Sequence, residues 1–89
     1  PRVTSVFETS HFRKILKKLS DKHVAIVDGE IEKVLINPTI GVKKTGDFDY
    51  VWVHKFRLAN IEVLLVYQWL EESKAVCLLH LSALEEKKN

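Results

Sequence analysis

Eighty-nine residues with a net charge of +2, 46% hydrophobic and 29% charged side chains, can bury one hydrophobic core but not two, so one domain over residues 1–89 is expected. No apolar run approaches the roughly 18 residues that a bilayer-spanning helix needs, and the opening PRVTSVFETSHFRK lacks the basic start, long apolar centre and small-residue cleavage site of a secretory signal. The single cysteine, Cys77, cannot form an internal disulfide; it reads as a small buried hydrophobe on the apolar side of a strand, in a cytoplasmic protein.

The net charge hides an asymmetry. Residues 1–45 hold nine Lys or Arg against five Asp or Glu, for +4, and residues 46–89 hold five against seven, for −2. An electropositive front half suits a nucleic acid or an acidic protein as partner.

In chain order, residues 3–7 alternate as a short strand. Thr9 or Ser10 can then cap a helix, because a hydroxyl there accepts from an orphan amide of the first turn. Phe12, Ile15, Leu16 and Leu19 follow at helical spacing, with Arg13, Lys14, Lys17 and Lys18 on the other side. Ser20 and Asp21 end this helix and cap a second, whose Val24, Val27, Ile31, Val34 and Leu35 recur at three- and four-residue steps up to Asn37-Pro38. Gly29 in its middle costs roughly 1 kcal/mol against alanine, implying close approach of a neighbour or a weak helix. Residues 39–49, TIGVKKTGDFD, read as a connection with turns at Gly41 and Gly46 and two adjacent cations, Lys43 and Lys44, able to reach a phosphate.

Three strands follow: YVWVHKFR, IEVLLVYQW and KAVCLLHLS, rich in β-branched and aromatic residues and joined by LAN and LEES. Strict alternation gives each an apolar face and a mixed face. The mixed face collects Lys55 and Arg57 from the first strand, Leu64 and Val66 from the second, and Val76, Leu78, His80 and Ser82 from the third. Aliphatics beside cations on a face with no internal partner predict a protein-binding strip. His54 points with Tyr50, Trp52 and Phe56 and reads as core or edge. His11 and His23 lie at helix starts without a second ligand at metal spacing, so neither metal nor cofactor is expected. Residues 83–89 read as a charged tail or a last helical turn.

The fold class is α+β: two antiparallel helices on one face of a small antiparallel sheet, in the order β-α-α-β-β-β. In that order, in VWVHKFRLANIEVLLVYQW and in the INPTIG exit from the second helix, the chain resembles the RelE/ParE superfamily of toxins from type II toxin-antitoxin systems. The resemblance implies an antitoxin partner laid over the toxin. It also implies ribosome-dependent cleavage of messenger RNA, by attack of a ribose 2′-hydroxyl on the adjacent phosphate; the alternatives are poisoning of DNA gyrase and a catalytically weakened toxin fold that only binds its antitoxin. Lys55 and Arg57 match the family's basic pair and Lys43 and Lys44 the basic approach to it, as an RNA-binding element. Two positions depart from the RNase pattern. Leu64 stands where an arginine is usual, and SALEE, residues 82–86, stands where a His or Arg and then a Tyr are usual, which leaves His80 as the displaced equivalent. The resemblance thus gives Lys55, Arg57 and His80 as the catalytic set, and Leu64, Val66, Val76 and Leu78 as the antitoxin strip.

Overall fold

The computed structural model describes residues 3–44 and 50–84. In chain order its elements are β1 (Ser5–Glu8), α1 (Ser10–Lys17), α2 (Asp21–Ile36), β2 (Val42–Lys43), β3 (Val51–Leu58), β4 (Ile61–Leu70) and β5 (Ala75–Leu84). The expected order is present, with one addition: Val42 and Lys43 form a short strand inside the segment read as a connection. The turn expected at Gly46 and the tail beyond residue 84 lie outside the described residues.

Local chemistry sets the helix boundaries. The Thr9 hydroxyl accepts from the Phe12 amide at 3.0 Å, and the Ser20 hydroxyl accepts from the His23 amide at 3.2 Å. Each cap satisfies a donor that the first turn leaves orphaned. Asn37, in a non-helical conformation ahead of Pro38, ends α2. Gly29 has open space where a Cβ would be, so no neighbour approaches it; α2 runs unbroken through it from Asp21 to Ile36.

The sheet is five-stranded, in the order β1-β5-β4-β3-β2. β3, β4 and β5 pair antiparallel as consecutive hairpins, and β2 pairs antiparallel with β3. β1 runs parallel to β5, so the sheet is mixed rather than wholly antiparallel. The reason is geometric: two hairpins leave the outer edge of β5 open, and the first strand occupies it before the helices carry the chain across the sheet. Ala59 and Asn60 make the β3–β4 turn with φ of 50° and 71°. Positive φ at both central residues is the two-residue hairpin geometry whose twist matches the strands.

One side of the sheet takes the helices. Phe12, Val27 and Val34 are fully buried against Phe56, Leu58, Val63, Leu65, Tyr67, Trp69, Val76, Leu78 and Leu81. Ile15, Leu16, Leu19, Ile31 and Leu35 pack around them, so both helices bury the stripes their spacing defines. A fully buried side chain of this kind contributes about 1.5–3 kcal/mol through apolar burial. Among the described residues, no helix is long and apolar enough to cross a membrane.

β5 departs from strict alternation. Val66 pairs with His80 but Tyr67 pairs with Leu78, so Leu79 is an extra residue, a β-bulge. Past the bulge, His80 and Ser82 pair with Val66 and Leu64 on the open side, as expected. Before it the faces are exchanged: Val76 and Leu78, expected on the open face, pair with Trp69 and Tyr67 and are 0% and 4% exposed in the core. Cys77 moves the other way, pairing with Gln68 and remaining half-buried.

Candidate functional site

On the side of the sheet away from the helices, register lines up Val53, Val66 and His80 in one row and Lys55, Leu64 and Ser82 in the next. Arg57 pairs with Glu62 one row further along. Lys55, Arg57, Leu64, Val66 and His80 therefore share a face, as their alternation predicts. They are not gathered at one point. Lys55 and His80 stand two strands apart, about 10 Å sideways, and one row apart, about 7 Å along the strands. Long, exposed Lys and Arg side chains can shorten that span.

Both cations have local partners. Lys55 Nζ lies 3.8 Å from Glu62 Oε2, and Arg57 Nη2 donates to the Asn60 carbonyl at 3.3 Å. The acid across the hairpin thus engages Lys55 rather than its register partner Arg57. The Lys55 side chain is 62% exposed, and an ion pair that open is worth about 0–1 kcal/mol. An incoming phosphate can displace it at little cost.

The two adjacent lysines part at β2. Val42 pairs with Val53 and Lys43 with Trp52, so Lys43 turns toward the helix side, beside Tyr50, Trp52, Trp69 and Glu71. Lys44 instead joins Lys55 at a hollow of about 550 Å³ floored by Ile40, Val42, Val53 and Leu64. Only Lys44 of the expected pair shares the open face. Gly41 is required at this edge, because a Cβ there would stand 2.5 Å from the Val53 carbonyl oxygen. Its amide donates to the Tyr67 hydroxyl at 3.3 Å, which in turn donates to the Pro38 carbonyl at 2.6 Å. Burial pushes the Tyr67 phenol above its ordinary pKa, and the Gly41 hydrogen bond only partly opposes this. Tyr67 is thus a buried clamp that holds the α2 exit against the sheet.

His54 belongs to the interior. It is 9% exposed, stacks near Phe56, and its Nε2 lies 2.8 Å from Glu30 Oε1 on α2. Burial raises the Glu30 carboxyl, but the hydrogen bonds from His54 and Lys33, with the charge of both, outweigh it and leave the carboxyl below its ordinary value.

A residue that no spacing singled out completes the site. His11, in the first turn of α1, places Nε2 2.7 Å from Nδ1 of His80, with the two rings nearly coplanar and edge to edge, their centroids 4.9 Å apart and 6° between planes. The pair joins residues 69 positions apart. No local pattern announces it, because it depends on the parallel β1 delivering α1 to the edge of β5. Among the described residues, no group of three His, Cys, Asp or Glu is placed to hold a metal ion.

Comparison with known proteins adds an independent finding. A family profile described as the ParE-like toxin of type II bacterial toxin-antitoxin systems matches residues 6–87. No curated protein matches the chain in sequence. In fold it is similar to the toxin in the intact E. coli RelBE toxin-antitoxin complex, at 21% identity and a TM-score of 0.74 over 92% of this chain and 98% of that one. It is similar as well to the RelBE2 toxin-antitoxin complex of Mycobacterium tuberculosis, at 18% identity and a TM-score of 0.72, covering 89% and 95% of the two chains. The archaeal RelE-RelB complex of Pyrococcus horikoshii OT3 gives 19% identity and a TM-score of 0.60 over 91% and 94%.

Proposed function

The chain belongs to the ParE-like toxins of type II bacterial toxin-antitoxin systems, and from that membership we propose that it arrests translation by cutting messenger RNA on the ribosome until a cognate antitoxin covers it. The observation that carries this reading is the open sheet face, on which Lys55, Arg57 and His80 stand together with Lys44 at its rim.

The chemistry asks little of the protein. A ribose 2′-oxygen attacks the adjacent phosphorus, the bond to the 5′-oxygen breaks, and the products are a 2′,3′-cyclic phosphate and a 5′-hydroxyl. One proton leaves the 2′-hydroxyl and one reaches the 5′-oxygen, so the step needs a base and an acid and no other reactant. Cations stabilise the charge that builds on the nonbridging oxygens. Arg57 supplies a planar fork for two of them and Lys55 a point charge. His80 supplies an imidazole, which can take a proton at one nitrogen and give one from the other. The ribosome, by orienting the RNA, supplies the proximity that this open face does not.

Leu64 and Val66 lie among these groups, so an antitoxin segment seated on the two aliphatics would pass over Lys55. Val76 and Leu78 are in the core, which narrows the proposed strip to the β4 pair. The solved RelE structures similar to this fold include complexes with their antitoxins, which supports a protein partner of the same kind, encoded beside this chain.

A second reading, a gyrase poison, is favoured by Leu64 standing where RNase members carry an arginine and by Glu62 occupying Lys55. Pulse labelling after induction separates the two. Under the cleavage reading protein synthesis falls first and messenger RNA acquires new 5′ ends on ribosomes; loss of DNA synthesis ahead of protein synthesis would replace it with the gyrase reading. Lys55→Ala and Arg57→Ala are each expected to lower cleavage about tenfold or more. Lys17→Ala, on the exposed face of α1, should leave it unchanged.

A further inference from the structure

We infer that His11 is a positioning residue for His80, fixing the orientation of that ring, engaging its Nδ1 and leaving Nε2 for substrate. The inference rests on the cleavage reading and adds to it a residue from α1, an element outside the sheet.

An N···N contact of 2.7 Å is a hydrogen bond only when one nitrogen donates and the other accepts. The bond therefore ties the proton on His80 to the proton on His11. If His11 Nε2 carries the hydrogen, Nδ1 of His80 is the acceptor and its remaining hydrogen sits on Nε2, as an acid toward the leaving 5′-oxygen. If Nδ1 of His80 carries it, Nε2 of His80 is a bare lone pair, a base toward the 2′-hydroxyl. Either way, Nε2 is left for substrate, and among the described residues nothing bonds it. A ring nitrogen whose role is set by a bond at the other nitrogen is the arrangement that orients catalytic histidines generally.

Both rings stand on backbone that hydrogen bonds hold together. Thr9 donates its amide to the Leu78 carbonyl at 3.1 Å and its hydroxyl to the Leu79 carbonyl at 3.3 Å, tying the start of α1 to the bulge. The same hydroxyl accepts from Phe12, whose ring is fully buried beside His11. On the other side, the extra residue Leu79 sets His80 opposite Val66. Bulges re-aim side chains in this way. The bond to His11, lying in the common plane of the two rings, then opposes rotation of the His80 ring.

Three measurements on the full chain, released from its antitoxin, test the assignment. In the ¹⁵N-labelled protein, a scalar coupling between Nε2 of His11 and Nδ1 of His80 is expected, and the ¹⁵N shifts of His80 report which nitrogen is protonated. His11→Phe keeps a flat ring at the position but has no nitrogen, and His11→Gln keeps an amide that can donate or accept. In ribosome cleavage assays, His11→Phe should lower kcat about tenfold, a fraction of what proton transfer supplies in total, with KM within about twofold of the parent. His11→Gln should restore most of the loss. Absence of the coupling overturns the inference, as does full-rate cleavage by His11→Phe when the parent is active; either leaves the cleavage reading standing. A parent protein that is inert on ribosomes overturns the cleavage reading itself and takes this role of His11 with it.

Discussion

Two histidine contacts of nearly equal length serve opposite ends here. His54 meets Glu30 at 2.8 Å with both side chains largely shielded, at 11% and 16% exposure, and the bond ties α2 to β3. His11 meets His80 at 2.7 Å at the exposed edge of β5. In the interior neither group can turn to water, so losing one partner leaves the other unsatisfied and costs free energy. At the edge water replaces either ring, so the contact adds little to stability and its consequence is the state of His80. Bond length does not separate the brace from the pair proposed to act in cleavage; the environment does.

The sharpest way to break the comparison is at the brace. His54→Ala removes the donor that Glu30 faces and opens space beside Phe56, and it is expected to lower unfolding free energy by about 2–3 kcal/mol. A chemical denaturation curve measures this. Under the proposed function, cleavage per folded molecule should be unchanged, because His54 points away from the open face.

Acid tests the same brace from the other partner. The Glu30 carboxyl is held below its ordinary value of 4.5 in the folded chain, so the folded state binds that proton more weakly than the unfolded state does. Its contribution is fully present above the ordinary value and is lost as the pH falls through the lower folded one. Glu30→Gln keeps an oxygen for His54 and removes the titration. Its stability should therefore fall less steeply than the parent's below about pH 4.5; parallel curves would mean that other carboxylates account for the acid limb.

What the sequence disclosed about these two contacts follows from how local each determinant is. Caps at Thr9 and Ser20, the stop at Asn37-Pro38 and the stripes on both helices depend on neighbours within a turn, and residue types alone place them. Lys55, Arg57, Leu64 and Val66 fall on one face because alternation holds along β3 and β4. KAVCLLHLS is apolar in both phases, so nothing in it marks Leu79 as the extra residue, and Val76 and Leu78 are misassigned while His80 is not. His54 reads correctly as interior, since it alternates with Trp52 and Phe56. Its partner Glu30 is invisible, because the contact needs α2 to lie over β3. His11 is hidden for the same reason.

Gly29, next to Glu30, offers a smaller change in the opposite direction. With open space at its Cβ position and a helical backbone, Gly29→Ala should raise stability by about 0.5–1 kcal/mol, through helix propensity and a less disordered unfolded chain. The change also firms the turn that presents the carboxylate to His54. A thermal melt reads it, and a loss of stability would mean that this side of α2 is covered in the folded protein.

The smallest expected effect is the loss of stability in His11→Phe, and its smallness is what the comparison requires. The variant leaves the Thr9 cap and the bond from Thr9 to Leu79 in place, and because the contact is exposed, water can reach Nδ1 of His80 once the His11 nitrogen is gone. Surface substitutions away from such anchors usually change stability by no more than about 0.5 kcal/mol. A denaturation midpoint within that margin, together with reduced cleavage, would place the contribution of His11 in the chemistry rather than in the fold. A loss above about 1 kcal/mol would instead be the size of a buried hydrogen bond. The edge pair would then be a second brace, fastening α1 to β5 as Glu30 fastens α2 to β3, and the contrast between the two histidines would disappear.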